Sequence, residues 1–99
     1  METHEPMPIR RMFPDVKPDR VEQLLLNSDF QARHGLSTLL ITLDLKKKAG
    51  LDVADLSKAL VTAYSPAMEA LRLKLIAEGW DSAELSAAYM VAQGTMKIR

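Results

Sequence analysis

The chain has no cysteine. Disulfides, thiolate nucleophiles and thiolate-ligated zinc are excluded together, and the composition is compatible with a reducing compartment, with the cytoplasm as the expected location. Aromatics are almost as scarce. Two Phe, two Tyr and one Trp in 99 residues leave the core to Leu, Ala, Val and Met, a palette that favours helices. Neither sign of charge dominates, because 13 Lys and Arg are matched by 13 Asp and Glu. No overall field therefore steers the chain toward nucleic acid or an anionic surface, and any such binding must come from a local patch. Apolar runs stay short of the roughly 18 residues of a membrane span. The first residues, with Glu2, Glu5, Pro6 and Pro8, lack the apolar stretch of a signal peptide, so neither membrane insertion nor export by that route is expected.

Four of the five prolines fall between Met1 and Pro18, each removing a backbone donor and biasing its predecessor toward extended geometry. Residues 1–18 thus read as an extended, flexible N-terminal arm and residues 19–99 as one helical domain. The arm also carries Met7, Ile9, Met12 and Phe13 beside Arg10 and Arg11, which is more apolar than a solvated segment needs, so it is expected to dock on something.

Helix signals follow in order. Asp19, with Glu22 three residues on and Val21, Leu24 and Leu25 at helical spacing, predicts a first helix. Asn27-Ser28-Asp29 ends it early, or Gly35 ends it late. From Leu36 to Ala49 two periods compete: Leu36, Leu39, Leu40 and Leu43 share a helical face, while Leu39, Ile41, Leu43 and Leu45 alternate like a strand. Helix is preferred, with Ser37 as cap and Gly50 as stop, because a lone strand leaves its backbone unsatisfied. Apolar residues on more than one of its faces predict a central, mostly buried element. Leu51-Asp52-Val53-Ala54-Asp55-Leu56 and Trp80-Asp81-Ser82-Ala83-Glu84-Leu85 share one grammar: an Asp at the cap, an acid three residues later, and apolar flanks. The first opens a helix that Pro66 kinks or ends, with Ser65 as a cap for the restart and Gly79 as its stop. The second opens a last helix, Asp81 to Gln93, that stops at Gly94 before a basic tail. The expected fold is all-α, a compact bundle of four to five short helices with an extended N-terminal arm.

Catalysis needs a nucleophile with its base, carboxylates with separated pKa values, or a metal, and none of these is visible. His4 lies in the arm and His34 beside a presumptive helix stop, where a cation complements the helix dipole. Asp19, Glu22, Asp52, Asp55, Asp81 and Glu84 all serve helix N-termini. The four glycines are isolated, so there is no phosphate-binding loop. No catalytic residue, metal site or cofactor is expected.

The chain therefore reads as a non-enzymatic interaction module, a small adaptor or regulator of another protein, with a homodimer also expected. Its contact residues are Arg10, Arg11, Met12 and Phe13, with Phe13 as anchor and the arginines making charge-assisted bonds. A second reading starts from Leu51, Val53, Leu56 and Leu60, then Ser65-Pro66, Leu71 and Ala77-Glu78-Gly79-Trp80. That run resembles the winged-helix DNA-binding domains, and the resemblance implies a helix-turn-helix with its turn at Tyr64-Ser65. Lys46, Lys47, Lys48, Arg72 and Lys74 would then gather into a nucleic-acid face. The run departs from that pattern at the start of the second helix, where Pro66, Ala67, Glu69 and Ala70 offer no base-reading donors.

Overall fold

A computed structural model describes residues 5–99, so His4 and the first three residues of the arm lie outside it. The fold is all-α. Its four helices are α1 (Pro18–Leu25), α2 (Ser28–Lys48), α3 (Ala54–Ala77) and α4 (Ser82–Ala92), joined by two short strands, β1 (Met7–Pro8) and β2 (Met96–Lys97).

The N-terminal segment is not a free extension over the described residues. β1 pairs in parallel with β2, Met7 opposite Met96 and Pro8 opposite Lys97, so two segments near the ends of the chain share backbone hydrogen bonds. A 3-10 turn follows at Ile9–Arg11, the Phe13 N–H donates to the Ile9 carbonyl at 2.7 Å, and Ile9 is fully buried. Ile9 and Phe13 of this segment pack into the chain's own core, while Met7 and Met12 stay exposed.

Three of the helix boundaries follow local chemistry. Pro18 occupies the first position of α1, where its missing N–H costs nothing. Asn27 ends the α1 turn and caps α2, its side-chain oxygen accepting from the N–H groups of Asp29 and Phe30 at 2.9 and 3.1 Å. The cap expected at Ser37 is therefore displaced by Asn27, and α2 runs uninterrupted through Gly35. Asp81 and Glu84 form a complete capping box at the start of α4. The matching pattern at Asp52 does not act so: Val53 holds the cap position of α3 with no side-chain bond. Nor does Pro66 break α3, which continues as one helix from Ala54 to Ala77.

Gly50 and Gly79 stop α2 and α3 with φ of 84° and 104°. At each, the following residue donates to the carbonyl five positions back, Leu51 to Lys46 and Trp80 to Leu75, which is the pairing of a Schellman end. The turn at Gly50 folds α3 back along α2 into a long hairpin.

The core sits at one end of that hairpin. Ile9, Val16, Val21, Leu24, Leu85, Ala87, Ala88 and Met96 come from the N-terminal segment, α1, α4 and β2. The hairpin contributes only Phe30 near the start of α2 and Leu75 near the end of α3. The remainder of the hairpin extends from this core, and the radius of gyration is 15.6 Å against about 13 Å for a globule of this length.

Candidate interaction surface

The outer half of the hairpin spans residues 36–67, and its α2 part, Leu36 to Ala49, was expected to be a central, mostly buried element. It is the most exposed apolar part instead. Successive residues turn by about 100°, so Leu36, Leu40 and Leu43 face α3 while Ile41 and Leu45 point well away from them. Of this set only Leu43 is buried, and it stands apart from the main core. Leu39, Ile41, Leu45, Leu51, Leu56 and Val61 are 44–61% exposed, six of the eleven large hydrophobics left in water among the described residues.

Between the two helices this half forms an open groove of about 470 Å³ lined by Leu40, Ile41, Leu45 and Val61, with Asp44, Lys47 and Ser57 at its polar positions. Charge is segregated at the tip. Lys46, Lys47 and Lys48 occupy the last turn of α2, with Asp44 bonded to Lys48 at 3.1 Å, while Asp52 and Asp55 flank the start of α3. The groove contains no acid–base pair or nucleophile–base pair, and no group of three or more metal-ligating side chains exists among the described residues. Its chemistry is that of a docking face.

A second constellation fastens the far end. Arg20 of α1 donates from Nε to Glu84 Oε2 at 2.7 Å, and from Nη2 to Glu84 Oε1 and the Gly79 carbonyl at 3.1 and 2.9 Å. Its guanidinium lies 4.0 Å above the centre of the Trp80 ring. The Arg20 hydrogen bonds hold the Glu84 carboxyl below the usual range, against the opposing effect of burial. Beside it, Arg33, Arg72, Ser82, Leu85, Ser86 and Tyr89 line a small cavity of about 160 Å³. Phe30, His34 and Tyr89 cluster next to it with ring centres 5.1–6.4 Å apart, Phe30 and His34 stacked and Tyr89 tilted against both. His34 is thus a packed residue inside α2, not a dipole-complementing one at its end.

No family model, curated protein or solved structure matches this chain.

The residues expected to form contact sites are scattered. Arg10 and Arg11 are exposed on the 3-10 turn and Met12 is 53% exposed, whereas Phe13, the expected anchor, packs against the chain's own core. Lys46, Lys47 and Lys48 are at the hairpin tip. Arg72 lies about 27 Å along the axis from the start of α3, bonded to Glu69 through both ends of its guanidinium at 2.9 and 2.6 Å. Lys74 is bonded to Asp29 at 3.0 Å. Lys46, Lys47 and Lys48 thus lie toward the opposite end of the hairpin from Arg72 and Lys74, and the turn at Tyr64-Ser65 that a helix-turn-helix requires is replaced by continuous helix. Arg20 and the Ile41–Leu45 pair were missed by sequence reasoning. The signal for the latter was present, since apolar residues on several faces of α2 announce surface to be covered, and it was assigned to the interior of one chain.

Proposed function

We propose that this chain is a non-enzymatic interaction module, an adaptor or small regulator, that binds a partner protein through the outer face of its α2/α3 hairpin. The observation that carries the reading is an open groove lined by the exposed aliphatic residues Ile41, Leu45 and Val61 on a segment that projects from the core. Scattered surface leucines are ordinary, but a contiguous apolar patch rimmed by charge is the composition of a contact surface. Arg10, Arg11 and Met12 remain available as peripheral contacts on the core end of the molecule. A cytoplasmic location belongs to the same proposal, supported by the cysteine-free composition. No helix among the described residues is long and apolar enough to cross a membrane.

The test is capture from a native lysate with the wild type and with the double variant Ile41→Asp, Leu45→Asp. Proteins retained by the first and lost from the second, with circular dichroism unchanged, are the expected result. Identical retention by both would sink the assignment of this face.

A further inference from the structure

We infer that the occupant of the hairpin face is a second copy of this chain, docked tip beside tip so that two hairpins complete a four-helix bundle. The inference rests on the reading of that face as an interaction surface and names what covers it. Its first support is charge. In a two-fold pair with aligned tips, α2 of each copy runs beside α3 of the other, and the cationic turn Lys46, Lys47, Lys48 meets Asp52 and Asp55.

Shape gives the second support. A two-fold interface must be complementary to itself, and here Ile41 and Leu45, exposed and one turn apart on α2, stand at one side of a groove of about 470 Å³ that Leu40 and Val61 also line. Ile41 and Leu45 of each copy can enter the groove of the other. The outer segments of α2 and α3 are nearly equal in length, about 20 Å each, and two helix pairs stacked with aligned ends make the layers of a four-helix bundle. Leu43 alone cannot core this region, and the second pair supplies the missing layer. A formal net charge of zero sets no overall repulsion between copies.

Light scattering on the eluted protein across a dilution series tests this. The expected mass is twice the 11.0 kDa of the chain, falling toward the single-chain value on dilution, and Ile41→Asp with Leu45→Asp is expected to give the single-chain mass throughout. Should that variant lose its helical circular dichroism, a charge exchange replaces it. One variant carries Lys46→Glu, Lys47→Glu and Lys48→Glu, the other Asp52→Lys and Asp55→Lys. Each alone is expected to run as a single chain, and an equimolar mixture is expected to recover the paired mass. A wild type that pairs while the mixture does not would overturn the aligned arrangement. A wild type that stays single at the highest concentration would overturn the second copy as occupant. If that single chain still enhances an apolar fluorescent dye, and the Ile41→Asp, Leu45→Asp variant does not, the face docks something else. Without enhancement, the interaction reading itself falls.

Discussion

Glu84 joins the start of α4 to α1. One carboxylate accepts from Arg20 twice and from the Asp81 N–H, while its own N–H donates to Asp81. Replacing it by Ala removes the reciprocal half of the capping box and the tie to α1, and is expected to cost about 1–2 kcal/mol once the solvent around Arg20 is allowed for. Because its folded pKa lies below the ordinary value, the folded state binds fewer protons than the unfolded state around and below about pH 4.3. The stabilisation is therefore present above that pH and lost as the pH falls through the lowered value. Glu69, held low by Arg72, acts in the same direction from a more exposed position. Urea midpoints at about pH 7 and about pH 3 should fall less for Glu84→Gln than for the wild type; equal falls would assign the acid sensitivity elsewhere. Tyr89 offers the opposite case, a buried hydroxyl with no hydrogen-bond partner among the described residues. Tyr89→Phe keeps the ring against Phe30 and removes an unpaired polar group, so its melting temperature should equal or exceed that of the wild type. A lower one would mean that the hydroxyl is satisfied in solution. At this scale the Asp81–Glu84 box was legible because its partners are three residues apart. Arg20 was not, because its partner is 64 residues away and nothing local marks it.

Helix ends were read better than helix interiors. Gly50, Gly79 and Gly94 stop their helices as their positions suggest, through positive φ that any other residue would adopt only with strain. Gly35 and Pro66, by contrast, are exposed positions inside long helices, where each lowers stability locally while the helical bonds on either side continue past it. At Asp52, chain reversal through Gly50 decides where α3 starts, and the helix begins beyond the carboxylate that could have capped it. Two substitutions measure these costs. A Cβ at Gly35 meets nothing within 4 Å, so Gly35→Ala should stabilise by about 0.5–1 kcal/mol. Pro66 withholds the bond that its position would donate to the Thr62 carbonyl, and Pro66→Ala should stabilise by about 1–3 kcal/mol in denaturant titration. A loss of stability at Pro66 would show that its bend is needed for the α2/α3 packing.

At the scale of the whole molecule, the all-α class and four helices were legible from composition and period, whereas the division into core and hairpin was not. The leucines and isoleucine of residues 36–45 carry the pattern of a buried helix, and a single sequence does not say whether the burying surface belongs to the same chain. The fold answers by placing the core around Phe30, Leu75 and α4 and leaving Leu39, Ile41 and Leu45 in water. Amide hydrogen exchange across a dilution series tests that account most directly. Protection in residues 36–48 and 54–67 should rise with concentration while the amides of Val21, Leu24, Leu75 and Leu85 stay constant. Outer-hairpin amides as protected as the core at the lowest concentration, and unchanged at the highest, would contradict it.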